Sequence, residues 1–319
     1  MTTYKEIRGT NIEAVASDPS NPVDGQVWYN TTTNVVKANF IDPGSWSSGG
    51  DMNQQRFYLA AGGIQTAAVA FGGTPGVNLT EMYNGTSWTE VNNLNTARER
   101  LAGCGATNTA ALAFGGNAPP GVQVVTETWN GTNWTEVNDL NTARRQLAAA
   151  GTNTAALAFA GETPPITAVT ETWNGTNWTE VGDLNTARLD LGGAGATNTA
   201  ALGFGGTPAS TSNTAATELY NGTNWTEVND LNTSRTRLGG VGTQTAALAF
   251  GGDPAPSATG SATESWNGTN WTTVNSMALG KEAPGGAGTN TAAVTAGTGT
   301  TAATEEWNVG PATVTFDVS

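Results

Sequence analysis

The chain has 319 residues, of which 37% are hydrophobic and 12% charged, and its 42 glycines predict short strands joined by many tight turns. Its 12 Lys and Arg against 26 Asp and Glu give a net charge of −14, which disfavours binding to nucleic-acid phosphates. With no histidine and one cysteine, Cys104, the sequence excludes disulfide frameworks, Cys/His zinc sites and histidine-dependent triads or dyads. No cofactor or metal is expected.

Residues 1–51 differ in pattern from the rest of the chain and predict a short N-terminal arm. A Pro/Gly turn, a strand, a Thr-Thr-Asn turn and a second strand predict a β-hairpin. A lone hairpin is marginal in water, so it must pack on the rest of this chain or on another chain, and we expect Val27, Trp28, Tyr29 and Phe40 to make that attachment. The first residues contain no apolar run typical of a signal sequence, and no segment has the ~20 apolar residues of a membrane helix.

Residues 52–319 contain six repeats of about 45 residues. The first signal is Phe-Gly-Gly or a variant of it, and the second is Thr-Glu-x-aromatic-Asn-Gly-Thr-x-Trp-Thr. The third is Leu-Asn-Thr-(Ala/Ser)-Arg, which opens each repeat. The Phe-Gly-Gly signal falls at Phe71, Phe114, Phe159, Phe204 and Phe250, with Thr295-Ala296-Gly297 as the sixth copy.

A period near 45 residues is typical of a helical pair or of a four-stranded propeller blade. The Asn-Gly pair at Asn130 favours the blade, because both residues tolerate the positive φ angles of a tight hairpin. The sixth repeat lacks its second tryptophan, and Thr313–Phe316 is the predicted last strand there. In the second repeat the predicted strands are 101–106, 110–114, 125–129 and 134–137. The first strand is mostly Gly and Ala, which predicts close approach of neighbouring backbones.

The order of these signals resembles the kelch-type repeats of galactose-oxidase-like β-propellers, over about residues 52–316. Trp129 and Trp134 are five residues apart, where the usual kelch hairpin is slightly longer. The resemblance implies an all-β fold: a six-bladed propeller with four antiparallel strands per blade, preceded by a short β-hairpin arm.

The stretch from Gly25 to Asn30, followed by its Thr/Asn turn, resembles the N-terminal leaders of tail-fibre and appendage proteins of tailed bacteriophages, particularly marine ones. That resemblance implies a virion location. The arm would then join other virion proteins or sister chains.

Two charged positions recur in every repeat and predict structural ion pairs that tie blades together. Paired carboxylates can do acid/base work, but identical copies in each repeat argue against an active site, which is normally asymmetric. Nine of the eleven tryptophans occupy repeat positions and are expected to pack between blades; Trp28 and Trp46 stay open. The charged positions include Arg98, Arg144, Arg188 and Arg235 and their expected partners Glu127, Glu171, Glu218 and Glu264, with Arg56, Lys281, Glu81 and Glu305 in the outer repeats.

The segments between the second and third strands differ while their flanks repeat. Loops on a rigid scaffold are frequent binding sites, so these segments are candidate binding loops. Their prolines are Pro119, Pro120, Pro164, Pro165, Pro208, Pro254 and Pro256. The functional expectation is a non-enzymatic virion structural protein, at a tail fibre, tail tip or head appendage, that binds a host-surface glycan or protein. The alternative is a bacterial lectin or a glycan-active propeller enzyme.

Overall fold

Tight turns and short apolar runs produce the same four-stranded antiparallel sheet six times between residues 45 and 308. The computed structural model describes residues 12–20, 25–209, 212–254 and 260–316, and within them the protein is all-β, with no helix. These residues accordingly offer no helix able to cross a membrane. The chain divides into two compact units, residues 45–308 and residues 1–44 with 309–319.

Each repeated sheet places its four strands side by side in chain order, with one exception in the sixth sheet. The first strands are Ala60–Ile64, Ala102–Thr107, Ala148–Thr152, Gly192–Thr197, Gly239–Thr243 and Gly285–Gly288. The second strands are Ala67–Phe71, Ala110–Phe114, Ala155–Phe159, Ala200–Phe204, Ala246–Phe250 and Ala292–Ala296. The third strands are Thr80–Tyr83, Thr126–Trp129, Thr170–Trp173, Thr217–Tyr220, Thr263–Trp266 and Thr304–Asn308.

The fourth strand completes each sheet with a tryptophan that lies opposite the aromatic residue of the third strand. These strands are Trp88–Val91, Trp134–Val137, Trp178–Glu180, Trp225–Val228 and Trp271–Val274, with Ser45–Ser48 in the sixth sheet. Three two-stranded ladders flank the sheets: Asn117–Ala118 with Gly121–Val122, Arg188–Leu189 with Thr207–Pro208, and Arg235–Thr236 with Asp253–Pro254.

The sixth sheet takes its fourth strand from the beginning of the chain. Ser45–Ser48 pairs antiparallel with Thr304–Asn308, and Trp46 lies opposite Trp307 as Trp134 lies opposite Trp129. The prediction that Thr313–Phe316 forms this strand is wrong, because Ser45–Ser48 carries the tryptophan that the repeat requires. The repeated unit therefore spans residues 45–308, which differs from the boundary expected between residues 51 and 52.

Tryptophans of the fourth strands join each sheet to the one before it. In the second sheet, Trp134 Nε1 donates to Thr80 Oγ1 at 2.9 Å, and the Trp134 ring packs on Phe71 with centroids 4.8 Å apart. The nine repeat tryptophans are at most 6% exposed, which confirms their predicted packing role. The hydrogen bonds are Trp88–Thr304, Trp134–Thr80, Trp178–Thr126, Trp225–Thr170, Trp271–Thr217 and Trp46–Thr263. This arrangement is compatible with a β-propeller.

The first strands of neighbouring sheets approach each other closely, as their Gly and Ala content predicts. A Cβ on Gly240 would lie 2.6 Å from the backbone oxygen of Gly193. A Cβ on Gly193 would likewise lie 2.6 Å from the backbone oxygen of Ala149. Such distances are shorter than any tolerated contact, so glycine is required there.

The second unit is a separate four-stranded sheet that contains the predicted hairpin. Val27–Asn30 pairs antiparallel with Val35–Ile41. The outer strands are Glu13–Val15, parallel to the first, and Pro311–Phe316, antiparallel to the second. The hairpin is therefore not alone, since both of its strands have a further neighbour.

Candidate functional site

The repeated Arg and Glu form five buried ion pairs. Arg98 Nη2 donates to Glu127 Oε1 at 2.8 Å, while Nη1 donates to the carbonyls of Gly115 and Val125. Glu127 also accepts from the backbone and side chain of Asn95. The other pairs are Arg56–Glu81, Arg144–Glu171, Arg188–Glu218 and Arg235–Glu264, at 2.8–3.0 Å.

The Arg and Glu of each pair belong to the same repeat. The pair joins the segment before the first strand of a sheet to the third strand of that sheet. The expectation of pairing is thus met, but the bridge does not join two sheets as predicted. Burial lowers the pKa of Arg98, while the Glu127 carboxylate opposes that shift. With their charges paired and their side chains 0% exposed, Arg98 and Glu127 offer nothing to a ligand.

The sixth repeat replaces this pair with a different arrangement. Lys281 Nζ donates to the carbonyl of Ala303 at 2.6 Å, and Glu305 accepts from the backbone of Ala278 and Leu279. Burial lowers the pKa of Lys281 to about 8.

A different position in the repeat breaks the symmetry. Two residues after each repeated basic residue stands a residue with φ between 46° and 56°, although none is glycine. Each donates its backbone N–H to the carbonyl of the equivalent residue in the preceding repeat, at 2.7–3.0 Å, so that six hydrogen bonds form a closed cycle. We call these residues the circle: Tyr58, Arg100, Gln146, Asp190, Arg237 and Ala283.

The side chains of the circle contact one another. The Arg100 guanidinium lies over the Tyr58 ring, 4.8 Å from its centroid, and that of Arg237 lies 5.7 Å from it. Gln146 accepts from Arg100 at 3.3 Å and donates to Asp190 Oδ2 at 2.6 Å. Five polar or aromatic side chains of four different kinds are thus held together by an identical backbone.

Charge in the circle is mixed and partly buried. Arg237 is 3.6 Å from Asp190 and also contacts Glu282 at 2.6 Å and Asp253 at 3.3 Å. Burial raises the pKa of Asp190 to about 6, against the opposing effect of Arg237. Burial also raises the pKa of Tyr58 above its usual value.

The variable loops lie beside the circle. Glu99, which precedes Arg100, forms a β-bridge with Asn117, and Arg145, which precedes Gln146, bridges to Glu162. Asp253, at the start of another loop, contacts Arg237 of the circle directly. The candidate loops and the circle therefore belong to one face of this unit.

The predicted loop prolines differ in exposure. Pro119, Pro120, Pro164 and Pro165 are exposed. Pro208 and Pro254 are half-buried in short strands, opposite Arg188 and Arg235 respectively. Pro256 lies outside the described residues.

The predicted attachment residues also differ. Trp28 is 1% exposed and donates to Asp18 at 3.0 Å, so it is already covered within this chain. Val27 and Tyr29 are half-buried, and the side chain of Phe40 lies outside the described part of the chain. Ile12 and Phe316, which sequence reasoning missed, are 47% and 44% exposed.

The cysteine offers no reactive thiol, and the acidic residues offer no metal-binding site among the described residues. Cys104 is 7% exposed, and burial raises the pKa of its thiol to about 12, as expected of a buried apolar residue. Among the described residues, no group of three or more His, Cys, Asp or Glu could hold a metal ion.

Neither the scan against protein-family models nor the search of curated proteins gives a match for this chain.

Proposed function

We propose that the six repeated sheets are the blades of a closed six-bladed propeller of kelch type. Two sets of contacts support this. The Trp–Thr hydrogen bonds lead from each sheet to the one before it and return from the first sheet, through Trp88, to Thr304 of the sixth. The backbone bonds of the circle return in the same way, from Tyr58 to Ala283.

The propeller acts as a non-enzymatic binding module, and its ligand contacts the circle and the adjoining loops. The observation that carries this proposal is the loss of symmetry at the circle: the backbone is identical in all six repeats, but the side chains are not. Packing explains a residue that recurs in every blade. It does not explain Tyr58, Arg100 and Asp190 at equivalent positions.

The second unit attaches the propeller to a phage particle, as a tail-fibre, tail-tip or head-appendage component. The resemblance of Gly25 to Asn30 to phage leaders supports this. Among the described residues, the outer strands Glu13–Val15 and Pro311–Phe316 each have only one neighbouring strand. An open sheet edge can pair with another virion protein or a sister chain.

A glycan-active enzyme is the second candidate, because Asp190 is a buried carboxyl with a pKa raised to about 6. General acids in glycosidases are carboxyls of raised pKa. Asp190 is only 8% exposed and its carboxyl is held by Gln146 and Arg237, which favours binding over catalysis.

Binding to bacterial cells tests the proposal. Labelled full-length protein should adhere to cells of a susceptible host, and the double change Arg100→Ala with Arg237→Ala should abolish adhesion. Thr132→Ala, in an exposed hairpin, is the control. Adhesion that persists in the double variant would exclude the circle face, and release of reducing sugars from host polysaccharide would make the protein an enzyme.

A further inference from the structure

The circle surrounds an open recess of about 120 Å³, which is below the ~300–1,000 Å³ range of sites for drug-sized ligands and so limits its ligand to a small molecule. Tyr58, Gln146 and Asp190 line it and are each at least nine-tenths buried, whereas the side chains of Arg100 and Arg237 are about one-third exposed. The residue that follows each circle member completes the lining, and five of these six residues are leucines. The recess thus combines fixed polar groups with an apolar wall.

One buried hydroxyl in the recess has no hydrogen-bond partner. Tyr58 is 7% exposed, and its hydroxyl makes no hydrogen bond to any described residue. The phenol interacts electrostatically with Asp190, Arg237 and Arg100, so it lies among the charged groups of the circle. Native structures rarely leave such a group unsatisfied, and an oxygen of a bound molecule would supply the missing bond.

The side chains at the sixth position leave room for that molecule. Ala283 contributes only a methyl group beside Tyr58, whereas the other repeats carry larger side chains at this position. The Nε atoms of Arg100 and Arg237 make no hydrogen bond, although they lie 3.9 Å from Glu99 Oε1 and 3.6 Å from Asp190 Oδ2 respectively. The Nε atoms of the five repeat arginines also make no hydrogen bond, but those arginines do not line the recess.

The charges restrict what can bind. Arg100 and Arg237 are positive, while Asp190, Asp253 and Glu282 around Arg237 are negative. An anionic ligand would meet Asp190, which lines the recess, and a cationic ligand would meet the two guanidinium groups. A neutral molecule rich in hydroxyls avoids both penalties, because it can donate to Asp190 and accept from the arginines and Tyr58.

We propose that this recess binds one neutral sugar residue, such as a terminal hexose of a surface glycan. Its hydroxyls would bond to Tyr58, Asp190 and the two arginines, Arg100 and Arg237, and its C–H faces would contact the leucines. This inference rests on the proposed binding function and specifies the ligand class for the same site.

Saturation-transfer NMR and calorimetry on the full chain test it. The probes are the methyl glycosides of glucose, galactose, mannose and N-acetylglucosamine, with glucuronate and N-acetylneuraminate as acidic competitors. At least one neutral glycoside should bind with a millimolar Kd and more tightly than either acid. No binding by any neutral glycoside, or tighter binding by an acid, would overturn the inference.

Tyr58→Phe keeps the ring and removes only the hydroxyl, so it should weaken binding about fivefold to tenfold, the effect of one lost hydrogen bond. Arg100→Gln, on the exposed rim, is a second variant if the first alters folding, and it should weaken binding by a similar factor. Glu136→Gln, at an exposed carboxyl of a fourth strand and outside both the recess and the loops, is the control. Unchanged affinity in a folded Tyr58→Phe or Arg100→Gln variant would contradict the inference.

The two proposals fail separately. Cell adhesion that requires Arg100 and Arg237, without binding of any neutral glycoside, would reject the sugar and retain the binding module. Glycoside binding that Tyr58→Phe weakens, without cell adhesion, would retain the recess and reject the host-surface role.

Discussion

The indole Nε1 of Trp46 donates a hydrogen bond to Thr263 Oγ1 at 2.9 Å, across 217 residues of chain. The same ring packs against Phe250 with centroids 5.4 Å apart. Trp46 thereby makes the contacts of a repeat tryptophan, although it precedes the first repeat in sequence. Sheets five and six depend on a residue from the N-terminal part of the chain.

Trp46→Ala in the full chain should destabilise the repeated unit by about 3 kcal/mol, the usual cost of truncating a packed tryptophan. Ser47→Ala, in the same strand, should change stability by less than about 0.5 kcal/mol. Chemical denaturation measures both.

Truncated chains test the same strand. A chain of residues 45–308 should fold, whereas a chain that begins at residue 51 should melt at a much lower temperature. Equal melting temperatures would show that Ser45–Ser48 has no structural role.

Glu171→Gln should leave Arg144 as an uncompensated buried charge and cost about 3–5 kcal/mol. Glu180→Gln is a matched control, because Glu180 lies directly opposite Glu171 in the sheet but is exposed. Thermal melts of the two variants should therefore differ sharply. If both behave like the unaltered protein, the buried pairs are not important for stability.

Gly240→Ala tests the close approach of the first strands. Its Cβ would be 2.6 Å from the Gly193 oxygen, so the backbones must separate, and we expect a loss of about 2 kcal/mol. Gly121→Ala is the control, since nothing lies within 4 Å of its added Cβ. Equal unfolding free energies for the two variants would show that the strands have room to spare.

Lys281 should make stability depend on alkaline pH. Its folded pKa of about 8 lies below the ordinary 10.5, so between these values the unfolded chain binds more protons than the folded one. The free energy of unfolding should therefore rise with pH over that window, by up to about 3 kcal/mol. Lys281→Met should remove this rise in denaturation curves recorded from pH 7.5 to 10.5. A variant whose profile follows that of the parent protein would argue against a buried, charged Lys281.

Asp190 should make stability depend on pH in the opposite direction. Its folded pKa of about 6 lies above the ordinary 3.8, so the folded state holds the extra proton between these values and stability falls as pH rises through them. Asp190→Asn should then raise stability at pH 7 by up to about 3 kcal/mol. Glu136→Gln, at an exposed carboxyl, should leave the melting temperature unchanged. A lower melting temperature for Asp190→Asn would mean that its ion pair with Arg237 outweighs its burial.

Much of the repeated sheet follows from local sequence, because short-range turn chemistry and alternating burial determine it. The predicted second and fourth strands of the second repeat, 110–114 and 134–137, match the observed Ala110–Phe114 and Trp134–Val137. The first and third strands differ by one residue. The sixth sheet could not be predicted in this way, since Ser45–Ser48 pairs with a strand more than 250 positions later and no local pattern encodes that choice.

The circle was missed for a different reason. Recurring residues indicate the packing of the repeat, whereas the circle is defined by residues that vary between two constant neighbours. A basic residue two positions before and a leucine directly after enclose Tyr58, Arg100, Gln146 and Asp190 alike. Variation at a position flanked by such constants is the pattern that indicates this site.

The circle also has a consequence for how the protein can be altered. Each member is fixed by its main-chain hydrogen bonds and by φ near +55°, not by its side chain, and residues as unlike as Tyr58, Asp190 and Ala283 occupy equivalent positions. A randomised library at these six codons should therefore yield mostly folded proteins. New affinities could be selected from it without redesigning the scaffold.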